Sequence, residues 1–329
     1  MNTARQNLRY QKAVAGIAII LFGIKIGAWI ITGSVAVLTD ALESVVNIVA
    51  GIFGVFSLYL SSKPRDFEHP YGHGKIEFIS SAVEGTLIFL AGIFIIYKAI
   101  DNLFHPAPLQ KLDLGMWLLA ISAIINWVAG NICVRVGKKN KSVALVASGK
   151  HIRVDAFTTL GIFVGLFLVI TTGALWIDSL VALLFAGIIM VTGYRIIRSS
   201  VAGIMDEQDI ELLKDMVQHL EENRKPDWID LHNMRIIKYG AILHMDCHMT
   251  VPWYYNVVEA HAIVEELTDL VKKNYGTSME VFVHSDACME FSCPICTKMD
   301  CPVRVHPFEK KIKWTITSIA KNNKHDINT

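Results

Sequence analysis

Two pairs of side chains that can bind a metal ion lie inside otherwise apolar stretches of the sequence. Glu43 and Asn47 are four residues apart, and His151 and Asp155 have the same spacing. Residues at this spacing lie on one face of a helix. Where two such helices face each other, two carboxylates, an amide and an imidazole converge as a ligand set for a divalent metal ion. Because ionisable groups at membrane depth are costly and mark ion paths, the pattern predicts a metal-ion transporter.

Six apolar segments are long enough to hold these side chains inside a bilayer. The chain has 329 residues, 53% of them hydrophobic, and a mean hydropathy of +0.41. At about 1.5 Å per residue, each segment can cross about 30 Å of hydrocarbon as a helix. We therefore expect a multi-span α-helical membrane protein with six transmembrane helices and a transport domain over residues 1–203. The segments are residues 13–32, 35–61, 77–101, 112–136, 149–172 and 174–200.

Lysine and arginine are concentrated in the N-terminal tail and in the loops after the second and fourth segments. Loops rich in these residues stay on the cytoplasmic side, so we expect both termini in the cytoplasm. We expect no cleavable signal, because the N-terminus is polar and has no short apolar run before a cleavage site. The sequence shows no Walker loop, nucleophile–base pair or aspartyl-phosphate motif, which argues against an enzyme.

Residues 204–287 carry the patterns of a small cytoplasmic domain. The sequence predicts the order α-β-β-α-β, which folds as an α+β sandwich with the helices on one face of a short sheet. The predicted elements are helices over 206–224 and 256–274 and strands over 229–238, 241–251 and 278–284.

The loop after the second apolar segment offers one oxygen and two nitrogen ligands within eight residues. These come from Asp66, His69 and His73, which makes the loop a second candidate metal site. The alternative is a polar loop that only provides glycine turns.

The soluble domain is rich in histidine, and each histidine taken alone is more typical of a surface position. His232, His248 and His284 fall at the edges of predicted neighbouring strands, with Asp286 close behind. This placement predicts that they cluster.

Residues 288–329 begin with four cysteines, Cys288, Cys293, Cys296 and Cys301. Four thiolates suffice for a closed tetrahedral zinc site, and the C-x4-C-x2-C spacing also occurs around iron–sulfur clusters. Disulfides are not expected in a reducing compartment. Beyond the cysteines, the pattern of residues 307–323 predicts a basic, partly amphipathic terminal helix. Such a helix can contact anionic lipid headgroups.

The sequence resembles the cation diffusion facilitators over nearly its whole length to about residue 287. The resemblance rests on residues 34–44 (SVAVLTDALES), 69–77 (HPYGHGKIE) and 151–155 (HIRVD). It implies a homodimeric exporter of divalent metal ions in a bacterial plasma membrane, driven by inward proton flow. The implied partners are lipid, metal ions and protons, and nucleic acid is not among them. It also implies a metallochaperone-like cytoplasmic domain.

The same resemblance assigns roles to particular residues. It implies a transport site at Glu43, Asn47, His151 and Asp155, and a loop site typical of the zinc/iron branch at Asp66, His69 and His73. It implies that Lys75 and Asp206 form a charge pair that joins the subunits near the membrane surface. It further implies cytoplasmic metal sites at the dimer interface, formed by His232, His248, His261, His284 and Asp286.

Glu43 and Asn47 depart from the family pattern, which usually has Asp or His at the first position and Asp at the second. The ligand set then has a formal charge of −2, which suits Zn²⁺ but leaves Fe²⁺, Co²⁺, Mn²⁺ and Cd²⁺ open. A membrane-bound metal sensor without transport and a metal-gated channel are the competing hypotheses.

Overall fold

The computed structural model of the chain describes residues 2–61, 63–106, 109–139, 143–239, 242–276 and 279–328. They form two compact units. The first, here called the membrane unit, comprises Met1–Ser57 and Ile79–Val201, and the second, here called the soluble unit, comprises Leu58–Phe78 and Ala202–Thr329.

Six long helices account for the membrane unit. Over the described residues, four of them contain stretches that are long and apolar enough to cross a bilayer, within α3, α4, α5 and α6. Large apolar side chains such as Leu90, Trp117 and Leu184 are exposed on these helices, as expected of surfaces that face lipid. The helices are α1 (Asn2–Thr32), α2 (Val35–Ser61), α3 (Ile76–Phe104), α4 (Leu112–Lys139), α5 (Val143–Thr172) and α6 (Trp176–Ile204).

Small residues let the helices of the membrane unit approach one another closely. A Cβ added to Gly193 of α6 would lie 2.9 Å from the carbonyl oxygen of Gly85 on α3. Close backbone approach of this kind favours helix association where lipid supplies no hydrophobic driving force. The packed interior includes Ala28, Val37, Ile95, Leu119, Ile162 and Ala186, one from each helix in turn.

The soluble unit confirms the predicted order α-β-β-α-β. Its three strands lie in the order β1-β2-β3, with β1 and β2 antiparallel and β2 and β3 parallel. Apolar side chains of α7, α8 and the sheet form one core, for example Leu213, Leu267 and Met245. The elements are α7 (Ile210–Glu222), β1 (Asp230–Tyr239), β2 (Ile242–Val251), α8 (Val257–Tyr275) and β3 (Met279–Ala287).

The C-terminal segment differs from the prediction. Only Ile316–Ile319 form a helix, here α9, in place of the expected helix over residues 307–323. The buried side chains of Ile312 and Trp314 are two residues apart, a period that an extended chain provides and a helix does not. Arg224 donates to the carbonyl oxygen of Ile312 at 2.8 Å, and its guanidinium lies 4.1 Å from the centroid of the Trp314 ring. Tertiary contacts therefore override the helical pattern here.

Candidate metal sites

The N-terminus of α2, the helix that carries Glu43 and Asn47, is fixed by a buried carboxylate from α6. Asp178 accepts hydrogen bonds from the Ser34 hydroxyl at 2.5 Å and from the backbone N–H of Val35 at 2.9 Å. The Ser34 oxygen in turn accepts from the N–H of Val37 at 3.1 Å. Capping of this kind satisfies N–H groups that have no partner within the helix. It sets the position of the ligands that follow on α2.

The candidate transport site lies between α2 and α5. The amide nitrogen of Asn47 donates to a carboxylate oxygen of Asp155 at 3.3 Å. The charge of Asp155 also acts on Glu43, one helical turn before Asn47. The backbone of His151 belongs to α5, one turn before Asp155, whereas its side chain lies outside the described part of the structure. The structure thus brings Asn47 into contact with Asp155 and places Glu43 one turn before Asn47 on the same helix.

A buried ion pair beside this site was not predicted from the sequence. The Lys25 ammonium of α1 lies 2.7 Å from the Asp40 carboxylate of α2, and both side chains are almost fully buried. Thr159 of α5 donates to Asp40 at 3.0 Å and to the backbone oxygen of Asp155 at 2.9 Å. Three helices are therefore linked through one carboxylate, which lies a turn before Glu43. The only sequence signal was the presence of two charged residues in apolar segments.

The three predicted loop ligands lie close together in the soluble unit, and their binding of a metal ion stays a prediction. Asp66, His69 and His73 offer ligand atoms that all lie within 4.8 Å of one another. The Asp66 oxygens lie 3.0 Å from the His69 ring and 3.3 Å from the His73 ring. The backbone N–H of His69 donates to Asp66 and lowers the pKa of that carboxyl below its usual range. An ionised carboxylate and two imidazoles are suitable ligands for a transition-metal ion.

The three strands of the soluble unit align their histidines in a row. His232 lies directly opposite His248, and His248 lies opposite His284. One Asp286 oxygen is 3.4 Å from the His232 ring and 3.1 Å from the His248 ring. His232, His248 and Asp286 therefore form a compact ligand group. His261 lies on α8 beside Glu265 at 3.5 Å and is not part of this group within one chain.

Three further groups surround this cluster, and sequence reasoning missed them. Asp230 lies 3.3 Å from the His232 ring and accepts hydrogen bonds from the backbone N–H and the ring of His325. Burial raises the pKa of Asp230, but the hydrogen bonds from His232 and His325 outweigh it and hold that pKa well below its ordinary value. Lys324 lies 3.4 Å from Asp286. The C-terminal tail thus returns to the cluster, a contact that no local pattern indicates.

The four cysteines of the C-terminal segment line one small cavity. It lies beside Ile229 and Pro252, at the ends of the strands that carry the histidine cluster. Burial raises the pKa of the Cys288 and Cys296 thiols above the ordinary value.

Lys75 and Asp206 form an ion pair at 2.8 Å within a single chain. The Lys75 ammonium also lies 4.6 Å from the centroid of the Tyr239 ring. The expected role of this pair in joining two subunits stays a prediction.

The chain combines apolar helices that carry candidate metal ligands with a small α/β unit that has candidate ligand groups of its own. This combination is typical of a metal-ion transporter. The chain belongs to the cation diffusion facilitator, or cation efflux, family. Residues 12–205 match the cation efflux transmembrane domain, and residues 208–288 match the cytoplasmic domain of cation efflux proteins. The membership expected from the sequence motifs is thereby confirmed, and the chain is an integral membrane protein that exports divalent metal ions.

Several known proteins are similar to this chain over most of its length and most of their own. An uncharacterized transporter of Synechocystis is 32% identical over 282 residues, which is 86% of this chain and 91% of that protein. The manganese efflux system protein MneS of Bacillus subtilis is 26% identical over 78% of this chain and 88% of its own length. The cation-efflux pump FieF of Pectobacterium carotovorum is 26% identical over 83% and 90%.

Proposed function

We propose that this chain is a homodimeric metal/proton antiporter that moves divalent transition-metal ions out of the cytoplasm of a bacterium. In this proposal residues 1–203 form six transmembrane helices, residues 204–287 form the metal-binding cytoplasmic domain, and both termini are cytoplasmic. Residues 288–329 form a cysteine-rich segment and basic tail. The observation that carries the proposal is the contact of Asn47 with Asp155 between α2 and α5, with Glu43 beside it.

Zn²⁺ is the cargo that we propose first, because His151 adds an imidazole to the oxygen ligands of Glu43, Asn47 and Asp155. Imidazole suits Zn²⁺, whereas an all-oxygen set favours Mg²⁺, Ca²⁺ or Mn²⁺. Three of the four ligand atoms are nevertheless oxygens, and relatives include a manganese efflux protein. Mn²⁺ is therefore the strongest competitor, and Fe²⁺, Co²⁺ and Cd²⁺ belong in the same comparison.

Proton exchange follows from competition for the same ligands. Carboxylate and imidazole groups must lose their protons to bind a metal ion, so metal binding and protonation exclude each other. His151 is the group that we assign as proton carrier, because an ordinary histidine titrates near pH 6.5. Metal would load from the cytoplasm and leave outward as protons arrive.

The soluble unit would adjust transport and not carry the cargo. In a dimer, metal bound at His232, His248, His284 and Asp286, with His261 of the same domain, would draw two cytoplasmic domains together. A ligand that binds one arrangement of the subunits more tightly shifts the equilibrium toward it. The Lys75–Asp206 pair would hold the subunits together near the membrane surface while the cytoplasmic domains move.

Vesicles that contain the purified chain test this function directly. Metal entry is followed with an indicator inside the vesicles for Zn²⁺, Mn²⁺, Fe²⁺, Co²⁺ and Cd²⁺ under an imposed pH gradient. We expect saturable entry that Asp155→Ala abolishes and Asp113→Ala, a change at an exposed residue early in α4, preserves. A membrane-bound sensor would bind metal and give no entry, and a channel would give entry that does not saturate. Either result would refute the proposal.

A further inference from the structure

The cysteine cavity lies outside the part of the chain that family membership explains. The matched cytoplasmic domain ends at residue 288, so three of the four cysteines follow it. The segment has little regular structure, a single 3-10 turn over Glu290–Ile295 and the short helix α9. Transport at α2 and α5 does not use these thiols, and a different role must account for their convergence.

The backbone around the thiols is held in place by a partly buried network of hydrogen bonds and an ion pair. Arg304 donates to the carbonyl oxygens of Cys293, Cys296 and Lys298 at 2.8, 3.0 and 2.8 Å. Lys298 forms an ion pair with Asp227 at 2.9 Å. The longest of these contacts in sequence joins Asp227 and Lys298, which are 71 positions apart (298 − 227). A loop that is ordered this closely around four thiols is suited to hold a bound group.

The spacing of the sulfur atoms argues against a single tetrahedral ion. Around Zn²⁺, with bonds of about 2.3 Å, thiolate sulfurs would lie about 3.8 Å apart. All four cysteines belong to the described residues, and no three of their sulfurs lie within 4.8 Å of one another. The cavity between them admits a water-sized sphere, which a closed zinc site has no room for.

The same arrangement fits an iron–sulfur cluster. A cluster distributes its thiolates over several irons, so their sulfurs stand further apart than around one ion. Backbone N–H groups of Trp253 and Lys298 donate to the sulfurs of Cys288 and Cys296, the first at 3.4 Å. Hydrogen bonds to the sulfurs and a partly apolar shell are features by which proteins tune such clusters. The C-x4-C-x2-C spacing of Cys288, Cys293 and Cys296 also occurs in cluster proteins.

We propose that Cys288, Cys293, Cys296 and Cys301 bind a resident iron–sulfur cluster that is separate from the transported metal. Cys288 follows Asp286 of the histidine cluster by two residues, and Ile229 in the cavity wall precedes Asp230. The cluster therefore fixes the strand ends that carry both carboxylates. Its loss is expected to weaken metal binding by the histidine cluster about tenfold, the lower end of outer-shell effects.

The test uses the full-length chain, purified in detergent without oxygen and supplied with a ferric salt, a thiol reductant and sulfide. We expect iron and acid-labile sulfide in equal amounts, a brown colour and iron–iron scattering in the X-ray absorption spectrum. Cys296→Ser and Cys301→Ser should each lose the sulfide and the colour, whereas Cys133→Ala, which removes a buried thiol from α4, should keep both. None of these measurements depends on transport, so the cluster and the antiport proposal can fail separately.

Three results would overturn the cluster. One is zinc bound by these cysteines in the wild-type chain, seen as zinc–sulfur scattering without acid-labile sulfide, and another is a chain whose four cysteine thiols carry no metal and titrate freely. The third is iron content that is the same in both serine variants as in the wild type. If the serine variants do not elute as folded protein, the wild-type iron–iron scattering decides: its presence supports the cluster and its absence refutes it.

Discussion

The membrane unit and the soluble unit hold their candidate metal ligands in different ways. In the membrane unit the candidate ligands come from two helices, and the buried Lys25–Asp40 pair lies one turn before Glu43. In the soluble unit the ligands come from three adjacent strands, and the tail adds Lys324 and His325 to their carboxylates. Close to the first site the Asp40 carboxylate is paired with Lys25, whereas the second site has several neighbouring groups that support or compete with metal.

Because of this difference, we expect substitutions at the two sites to change different measured properties. A change in the membrane unit should affect stability or flux strongly, because removing one partner of the buried Lys25–Asp40 pair leaves the other charge uncompensated. A change around the histidine cluster should alter metal affinity and leave flux measurable.

The largest expected effect concerns the Lys25–Asp40 pair. Lys25→Met leaves the Asp40 charge buried without its cation, which should destabilise the chain by about 3–5 kcal/mol. The measurement is thermal unfolding in detergent, with Glu77→Gln in the first turn of α3 as control. The double variant Lys25→Met with Asp40→Asn should recover most of the loss, because the asparagine can still accept from Thr159. Equal stability of the single variant and the wild type would show that the pair is not needed.

A smaller effect is expected where the tail meets the histidine cluster. His325 holds Asp230, which in turn contacts His232, so His325→Ala should weaken metal binding at the cluster by about 10- to 100-fold. Lys324→Ala should instead strengthen metal binding at the cluster, because the Lys324 ammonium forms an ion pair with Asp286 and competes with metal for that carboxylate. Calorimetric titration of the detergent-solubilised chain with Zn²⁺ measures both. If the two variants change affinity in the same direction, the tail does not act through these carboxylates.

The smallest expected effect is a change in the preference of the transport site among divalent metal ions, without loss of transport. Asn47→Asp makes the formal charge of the ligand set more negative, from −2 to −3. Ligand charge is one of the properties by which sites adjust metal affinity, so competition among Zn²⁺, Mn²⁺ and Cd²⁺ should shift on the order of tenfold. Flux competition in vesicles is the measurement. An unchanged order of competition would remove Asn47 from the set of ligands.

The predictable features were those that depend on local spacing. Glu43 with Asn47 and His151 with Asp155 follow from the helical period, and the alternating strands follow from a period of two. The Lys25–Asp40 pair and the contact of His325 with Asp230 could not be predicted, because the tertiary structure joins residues 15 and 95 positions apart. Residues 307–323 were predicted wrongly as a helix, since Ile312 and Trp314 enter the core from an extended chain.

In the proposed mechanism, metal ions cross at the α2–α5 site in exchange for protons. Its most direct test records metal entry and internal pH together in the same vesicles, for the wild type, Asp155→Ala and His248→Ala. We expect protons to move opposite to Zn²⁺ throughout its entry. Both signals should be lost in Asp155→Ala and should persist at a changed rate in His248→Ala. Zn²⁺ entry that persists in Asp155→Ala, or that proceeds in the wild type without any proton movement, would contradict it.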